Sequence, residues 1–376
     1  MKIILAPDKY KGNMTSPEIC SIIRKAILEE IPDAEVIMLP MADGGEGTVD
    51  AVVSACNGKI HKIKAAGPLG RAVEGELGIY NHGKSAVLEM SSVSGLALLR
   101  NDELNPLEAN TYGTGELIRA ALDLGVEEIT IGIGGSATVD GGMGMAAALG
   151  CRFLDRNGME LPLKPQALKT LDRIDMSGMD PRLAQVRIRV ACDVTNPLLG
   201  PNGSATVYGP QKGATPAMVG ELEECLKKLA EVWLKQGILD SVEQPGDGAA
   251  GGLGAGLRAF CKATPTSGAK LVMGMLELEK YLPGTDLLIT GEGCTDSQTD
   301  SGKLCGEIAA VCHASGIPVM LLSGALKGDL TGFSKTFDFA FSISSGAHAT
   351  VAEAIKAGKD DLYFTARNLA RLLKGA

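Results

Sequence analysis

Short apolar segments alternate with longer helical patterns along most of this chain, and this alternation restricts its possible folds more than any other feature. Strands separated by helices are typical of βαβ units, in which a crossover helix joins two parallel strands. The first predicted strands comprise residues 2–6 and 35–40, and helical patterns follow both, the second over residues 48–55. The sequence therefore predicts an α/β fold built on a parallel sheet.

The last third of the chain repeats this order of strands and helices. The simplest architecture places its strands in one sheet with the two N-terminal strands, so that the middle of the chain is an insertion. The predicted strands of this last third are residues 286–290, 318–322 and 338–342, and its predicted helices are residues 270–281, 303–314 and 363–373.

Three consecutive strands without helices between them interrupt the alternation. Residues 59–64, 72–80 and 85–90 are separated by turns that contain glycine, which favours antiparallel pairing. Helices and strands then alternate again. The further predicted elements are helices at residues 115–124, 143–149 and 218–236 and strands at residues 128–133 and 187–191.

A chain of 376 residues exceeds what one hydrophobic core usually holds, so we predict two domains. Residues 1–66 and 269–376 would form a Rossmann- or flavodoxin-like domain with a parallel sheet. Residues 67–268 would form an inserted mixed α/β domain. The hydrophobic content of 45% and the charged content of 22% are typical of a globular protein with a substantial core. The sequence indicates no oligomeric state.

The charge and the cysteines of the chain narrow its partners and its compartment. The net charge of -9 argues against nucleic acid or an anionic membrane as the main partner. No apolar run reaches the length of a transmembrane helix. The nine cysteines include no C-x-x-C pair, a pattern that suits reduced thiols. We therefore expect a cytoplasmic protein that binds neither nucleic acid nor membranes.

Acidic residues beside glycines, some of them joined by lysines, follow four of the predicted strands. Ligands of open parallel sheets bind at the carboxyl ends of the strands. One such acidic residue alone is more often a helix cap or an Asx turn, but four groups together favour a shared site for a divalent cation and an anion. The groups are Asp8, Lys9 and Lys11; Asp43 and Glu46; Asp193, Thr195 and Asn196; and Glu292, Asp296, Asp300 and Lys303.

Residues 132–140, which we call the glycine loop, open a segment with seven glycines among residues 131–150. Glycine is costly in regular structure, so such a cluster indicates close approach of the backbone to another group. No Gly-Lys-Ser/Thr follows, which excludes a Walker loop. Hydroxyls and a carboxylate at Ser136, Thr138 and Asp140, together with backbone N–H groups, favour a triphosphate or a small acid as the ligand.

The same loop also imitates a dinucleotide-binding fingerprint. Gly132, Gly134 and Ala137 fit G-x-G-x-x-G/A after a strand, and Asp155 stands where an acid that binds ribose would be expected. However, the residues TVDGGMG intervene before any helix can start, whereas the fingerprint needs its helix to begin inside the motif. A nicotinamide-dependent dehydrogenase of a small hydroxy acid remains the alternative function.

Eight motifs together resemble the bacterial glycerate kinase family. In chain order they are APDKYKG, ADGGEGT, YGTGELI, GIGGSAT-x-DGG-x-GM, ACDV-x-NPL-x-GP-x-G, GPQKGA, GAAGGLGAGL and ITGEG-x-x-D-x-QT-x-x-GK. The match extends from Ile3 to the last helix. The resemblance implies a cytoplasmic kinase that uses ATP and Mg²⁺ to phosphorylate D-glycerate, most often at the 2-hydroxyl. It also implies two α/β domains with the active site in the cleft between them.

The resemblance suggests in-line transfer of a phosphoryl group, which depends on positioning and charge neutralisation more than on covalent catalysis. Asp193 is our candidate for the carboxylate that orients or deprotonates the substrate hydroxyl. Lys9 and Lys11 would bind the carboxylate of glycerate or the transferring phosphoryl group.

The metal and the nucleotide have candidate ligands as well. Glu292 and Asp296, or Asp43, would hold Mg²⁺ directly or through water, and the glycine loop would bind phosphates. A protein of the same fold that binds a small acid without catalysis is a further alternative. The remaining candidates for binding substrate or nucleotide are Asp8, Asp43, Gly134, Gly135, Ser136, Asn196 and Lys303.

Overall fold

The computed structural model of the chain describes residues 1–296, 304–328, 330–344, 348 and 350–375. Contacts between residues divide the chain into two compact units. Unit 1 comprises Met1–Asp43, Asp50–Asn57 and Ala269–Ala376, and unit 2 comprises Gly44–Val49 and Gly58–Gly268.

The described residues form strands and helices in an order close to the predicted one. The strands are β1 (Lys2–Leu5), β2 (Glu35–Met38), β3 (Lys59–Ala66), β4 (Ala72–Tyr80), β5 (Ser85–Glu89), β6 (Glu128–Gly132), β7 (Arg152–Leu154), β8 (Arg173–Asp175), β9 (Arg187–Ala191), β10 (Thr264–Thr266), β11 (Leu287–Thr290), β12 (Thr295–Asp296), β13 (Val319–Ser323), β14 (Leu326–Lys327) and β15 (Phe339–Ser342). The α-helices are α1 (Ser16–Glu30), α2 (Thr48–Ala55), α3 (Ser91–Ser94), α4 (Tyr112–Asp123), α5 (Met143–Ala148), α6 (Ser204–Tyr208), α7 (Pro216–Lys235), α8 (Ala249–Cys261), α9 (Gly268–Met275), α10 (Leu278–Tyr281), α11 (Leu304–Ala314), α12 (Leu330–Thr336) and α13 (Val351–Lys374).

Unit 1 contains a parallel sheet with the strand order β15-β13-β11-β1-β2. Counted within this sheet, the order is 2-1-3-4-5, the flavodoxin-like arrangement, whose direction reverses between β1 and β11. Ile3, Ile4 and Leu5 of β1 are fully buried, as expected of a parallel strand covered on both faces. The predicted parallel sheet of N-terminal and C-terminal strands is thus confirmed.

Helix α1 covers this sheet and packs against α13. The N-cap of this helix is Thr15, not the first helical residue Ser16, and the Thr15 hydroxyl accepts a hydrogen bond from the backbone N–H of Glu18. The Glu18 side chain in return accepts from the backbone N–H of Thr15, which completes a capping box. Ser16 instead donates its hydroxyl to the carbonyl of Pro7, so it connects the start of α1 to the end of β1.

Unit 2 contains a mixed sheet with the strand order β10-β9-β6-β5-β4-β3. Strands β3, β4 and β5 pair antiparallel, as predicted, and the others pair parallel. The fold class, with one flavodoxin-like sheet and one mixed α/β unit, is confirmed.

The ladder of β3 with β4 extends over all of Lys59–Ala66, which groups residues 58–66 with unit 2. That residues 1–66 with 269–376, and residues 67–268, form two separate domains stays a prediction.

Helix α8 begins inside the glycine-rich motif GAAGGLGAGL. Ala250, Gly251 and Gly252 have left-handed backbone conformations, with φ of 52°, 74° and 85°. A Cβ on Gly251 would lie 1.8 Å from the carbonyl oxygen of Thr138, and the Gly251 carbonyl accepts a hydrogen bond from the N–H of Gly141. These glycines therefore allow α8 to approach the end of the glycine loop.

Two C-terminal helices differ from their predicted forms. The predicted helix at residues 270–281 is divided into α9 and α10 by Glu277, whose φ is 53°. The closing helix α13 begins at Val351, well before the predicted start at residue 363, with its N-terminus capped by the Thr350 hydroxyl. The added part is mostly exposed and is rich in alanine, so its apolar periodicity, which Val351, Ile355 and Leu362 carry, is weak.

Candidate active site

The carboxyl ends of β1 and β11 meet where the strand order of unit 1 reverses. The N–H of Asp8 donates a 2.7 Å hydrogen bond to the carbonyl of Gly291, which ties together the loops that follow the two strands. A Cβ on Gly291 would lie 1.9 Å from the carbonyl oxygen of Leu322, so only glycine allows the end of β13 to come this close. Ligands of flavodoxin-like sheets bind at this switch point.

Four of the predicted site residues influence one another at this edge of the sheet. Burial raises the pKa of Asp8 to about 7, Lys9 opposes this shift, and the carboxylates of Asp43 and Glu292 add to it. The backbone N–H of Lys9 donates a 2.7 Å hydrogen bond to Oδ1 of Asp8. Nζ of Lys9 lies 4.0 Å from Oδ1 of Asp43. Asp8 therefore titrates near neutral pH, among two other carboxylates and a lysine.

Hydrogen bonds from backbone and side-chain groups fix the loop that carries Glu292. Its carbonyl accepts hydrogen bonds from the hydroxyl of Ser323, at 3.1 Å, and from the N–H of Gly324, at 3.0 Å. Tyr10 is buried and donates its hydroxyl to the carbonyl of Leu322 at 2.8 Å. Sequence reasoning missed Tyr10 and Ser323 as supports of the site. The sequence offered one indication of a role for Tyr10, its position between two lysines in DKYK.

The other predicted residues of unit 1 have different placements. Lys11 is exposed. Asp296 lies in the short strand β12, where it pairs in register with Lys327 of β14. Lys303 and Asp300 lie outside the described residues, so their predicted roles stay predictions.

The oxygen-rich edge of unit 1 fits Mg²⁺ as the resemblance implies. Within the described ranges, no three His, Cys, Asp or Glu side chains form a metal site by themselves. Mg²⁺ is usually held by one or two carboxylates together with substrate phosphates, and Asp8, Asp43 and Glu292 offer such oxygens. Burial, with Glu292 adding to its effect, raises the pKa of the neighbouring Cys305 thiol, so a thiolate ligand is not expected there.

The glycine loop of unit 2 follows β6 and is held by backbone contacts on both sides. A Cβ on Gly132 would lie 2.2 Å from the carbonyl oxygen of Gly44. The Gly135 carbonyl accepts a hydrogen bond from Leu96, and the N–H of Ala137 donates to Ser94. Gly134 and Gly135, both predicted to bind phosphate, are exposed on this supported loop.

Ser136 contacts a buried lysine that sequence reasoning did not select. Nζ of Lys212 donates hydrogen bonds to the Ser136 hydroxyl at 2.6 Å and to the Thr138 carbonyl at 2.7 Å. The lysine is only 1% exposed. Burial lowers its pKa to about 7, and Asp140 partly opposes this shift. Lys212 belongs to the motif GPQKGA, which could have marked it as a site residue, but a sequence pattern does not show that a lysine is buried.

Asp140 has a structural role, contrary to the interpretation that it contacts a ligand. Its carboxylate is fully buried and accepts hydrogen bonds from the N–H and the hydroxyl of Thr111, and from the N–H groups of Gly142 and Gly144. Its pKa is raised by burial, and these hydrogen bonds oppose the shift. Asp140 therefore joins the starts of α4 and α5 to the glycine loop.

Asp193 and Asn196 lie in the loop after β9. Asp193 is exposed, and its Oδ1 accepts a 2.9 Å hydrogen bond from the N–H of Gly268. Asn196 donates to the carbonyl of Asn202 at 2.9 Å and accepts from the hydroxyl of Tyr208 at 2.6 Å. The side chain of Asn196 thus shapes its own loop, while Asp193 presents a carboxylate at the carboxyl end of the sheet.

The dinucleotide fingerprint finds no support in unit 2. Helix α5 begins at Met143, six residues after Ala137, so the helix does not start inside the motif. Asp155 lies in an exposed turn between β7 and β8, where its carboxylate accepts hydrogen bonds from the N–H groups of Asn157 and Met159. The geometry of a βαβ unit that binds NAD is therefore not present at these residues.

Comparison with known proteins places the chain in one family. Residues 3–374 match the glycerate kinase family. The chain is 44% identical to the glycerate 2-kinase of Escherichia coli over 99% of its length and 98% of that protein. It is 45% identical to the glycerate kinase of Halalkalibacterium halodurans over 98% of its length and 97% of that protein.

A solved structure gives the same result. The putative glycerate kinase 2 of Salmonella typhimurium superposes with a TM-score of 0.91 at 43% identity, covering 100% of this chain and 98% of that one. None of the helices in the described part of the chain combines the length and the apolar character needed to cross a membrane. The chain belongs to the glycerate kinase family.

Proposed function

We propose that this protein transfers the γ-phosphoryl group of ATP to D-glycerate, at the 2-hydroxyl rather than the 3-hydroxyl, with Mg²⁺ as cofactor. One observation carries the proposal: in a member of this family, Asp8, Asp43 and Glu292 lie with Lys9 at the switch point of a flavodoxin-like sheet. The name of the E. coli relative, glycerate 2-kinase, supports the choice of hydroxyl.

In unit 1, Lys9 and Lys11 bind the anionic groups, either the carboxylate of glycerate or the transferring phosphoryl group. Glu292 with Asp296, or Asp43, would hold Mg²⁺, which would neutralise charge on the phosphates. Asp8, with its raised pKa, binds substrate beside Lys9. Asp43 assists through its contact with the Lys9 ammonium.

In unit 2, Asp193 orients the reacting hydroxyl and accepts its proton. Its exposed carboxylate at the end of β9 is suited to this task, and the hydrogen bond from Gly268 fixes its orientation. Gly134 and Gly135 present backbone N–H groups to phosphate, and Ser136 holds the loop in place through Lys212. Asn196 supports the loop that carries Asp193. Lys303 binds nucleotide.

We place this reaction in the cytoplasm. The nine cysteines, all of which lie in the described part of the chain, are free thiols, and most of them are buried. Free thiols in this number are typical of proteins in reducing compartments.

A coupled assay of ADP release tests the proposal directly. Addition of D-glycerate to the protein with ATP and Mg²⁺ should release ADP, and ³¹P NMR of the product distinguishes 2-phosphoglycerate from 3-phosphoglycerate. Binding of D-glycerate without ADP release would instead identify a non-catalytic binding protein. Formation of 3-phosphoglycerate would overturn the choice of hydroxyl and leave the kinase assignment intact.

A further inference from the structure

A cavity of about 170 Å³ lies beside the carboxyl edge of the sheet in unit 1. Its walls are the loops after β1, β11 and β13, the end of β15 and the first turns of α13. The members used below are Lys11, Ile343, Val351, Ala354, Ile355 and Asp361.

Aliphatic side chains of α13 line this cavity although they are open to solvent. Val351 is 77% exposed and Ile355 is 40% exposed, while Ile343 on the facing wall is buried. Exposed aliphatic groups around a concave site indicate a binding surface. Pockets for complete drug-sized ligands measure about 300–1,000 Å³, so a cavity of 170 Å³ accommodates only one end of a larger ligand.

Two glycines make the cavity narrow. A Cβ on Gly358 of α13 would lie 2.0 Å from Nδ2 of Asn13, so α13 comes close to the loop after β1. A Cβ on Gly324 would lie 2.3 Å from the carbonyl oxygen of Gly293, so the loops after β11 and β13 also touch. We call the cavity between α13 and these loops the slot; most of its lining residues are apolar or small.

The lining of the slot also includes charged side chains. Lys11 lines it and is exposed, and it follows Asp8 and Lys9 in the same loop. Asp361 also lines the slot, and its Oδ2 lies 2.7 Å from Nε2 of His348. A ligand that fits this pattern has an anionic part near Lys11, a flat apolar part between Ile343 and Ile355, and amino groups that donate hydrogen bonds to a carboxylate.

We propose that this slot binds the purine base of the nucleotide that donates the phosphoryl group, with its phosphates directed along the loop of residues 8–11. This assignment rests on the proposed function. Glycerate does not fit the slot, because its three carbons carry a carboxylate and two hydroxyls and offer no apolar surface to the aliphatic walls. A purine offers both an apolar face and a polar edge.

Substitution of Ala354 by tryptophan, which fills the slot, tests the assignment. The matched control is Ala352→Trp, on an exposed face of the same helix outside the slot. We expect Ala354→Trp to weaken ADP binding at least 10-fold by titration calorimetry, with binding of inorganic pyrophosphate unchanged. The KM for ATP should rise while the KM for D-glycerate stays the same, as expected when binding energy shared by ground and transition states is lost. Ala352→Trp should behave as wild type.

Several results would overturn the assignment. One is that Ala354→Trp weakens ADP binding and pyrophosphate binding equally. Another is that Ala354→Trp and Ala352→Trp have equal effects. A third is that Ala354→Trp raises only the KM for D-glycerate. If Ala354→Trp lowers the Tm, Ile355→Asn replaces it, since this partly exposed position tolerates a polar side chain and the same loss of ADP binding is expected. A wild-type protein that binds ADP in the slot but phosphorylates no glycerate would refute the proposed function and leave the slot assignment standing.

Discussion

The ammonium nitrogen of Lys212 lies 2.6 Å from the hydroxyl oxygen of Ser136, inside unit 2. Lys212 is 1% exposed and Ser136 is 5% exposed, so water does not compete for this hydrogen bond. The same ammonium group bonds to the Thr138 carbonyl. Lys212 therefore holds both Ser136 and Thr138 of the glycine loop, and its protonation affects the stability of the unit.

Replacement of Lys212 by methionine should make the stability of the protein less dependent on pH. Because burial lowers the pKa of Lys212 to about 7 from a usual value of 10.5, the unfolded chain binds more protons than the folded chain between these values. The free energy of unfolding of the wild type relative to Lys212→Met should therefore rise from pH 7 to pH 10, by a few kcal/mol, since each pKa unit corresponds to about 1.4 kcal/mol.

Urea unfolding of both proteins across this pH range measures the difference. The exposed Lys227 of α7 supplies the control, since Lys227→Met should leave the pH dependence as it is in the wild type. A constant difference between wild type and Lys212→Met would mean that Lys212 stays charged in the folded protein.

Asp8→Asn should have the opposite pH dependence. Burial raises the pKa of Asp8 to about 7 from 3.8, so the folded chain binds the extra proton between pH 4 and pH 7. Stability of the wild type is then lost as the pH rises through this window, whereas the asparagine side chain keeps an oxygen for the N–H of Lys9 and carries no charge. We expect the variant to gain stability relative to wild type from pH 4 to pH 8.

Thermal unfolding in EDTA checks this expectation without bound metal. Asp102→Asn, at a surface ion pair with Arg100, is a suitable control and should show no such trend. A difference between Asp8→Asn and wild type that does not change with pH would contradict a raised pKa for Asp8. In the kinase assay, Asp8→Asn should lose activity even where it is more stable.

Gly251→Ala should destabilise the protein, because the added Cβ would meet the Thr138 carbonyl at 1.8 Å and the residue has a φ of 74°. The loss in the free energy of unfolding should be at least about 1–3 kcal/mol. Gly220, in the exposed part of α7 with no atom near its Cβ position, is the matched control. There alanine should stabilise by about 1 kcal/mol. Similar effects at both positions would show that α8 does not need its left-handed turn.

Asp193→Asn should lower kcat by about 10²–10⁴, the usual contribution of general acid–base catalysis. The amide keeps an oxygen that can accept the hydrogen bond from Gly268, so the Tm should stay close to that of the wild type. Near-normal turnover in the ADP-release assay would remove Asp193 from the role of base, while a lower Tm would point to a structural role.

The parallel arrangement was predictable because buried strands such as Leu287–Thr290 stand out as short apolar runs between helical patterns. The proximity of Asp8, Lys9 and Asp43 was predictable for a related reason, since adjacent parallel strands end at the same edge of a sheet. The start of α13 at Val351 was not predicted, because its first turns are exposed and contain several alanines and Gly358, so only Val351, Ile355 and Leu362 mark the helical period.

The roles of two polar residues in unit 2 depend on distant parts of the chain. Asp140 is bound by Thr111, which is 29 residues away, and Lys212 by Ser136, which is 76 residues away. Neither spacing matches a local pattern such as a cap or a turn. A sequence therefore identifies Asp140 as a polar residue beside glycines but does not show that it is buried and fully hydrogen-bonded.

The pairing of β1 with β11 determines the order in which the chain can fold during synthesis. The Thr290 hydroxyl bonds to the Ala6 carbonyl across 284 residues, so the partner of β1 leaves the ribosome late. At about 5–20 residues per second, β1 can pair early with β2 on one edge, whereas its other edge lacks β11 for tens of seconds. Unit 2, whose chain is nearly continuous, can complete its core in that interval, so the nascent chain is expected to acquire the mixed sheet before the parallel one.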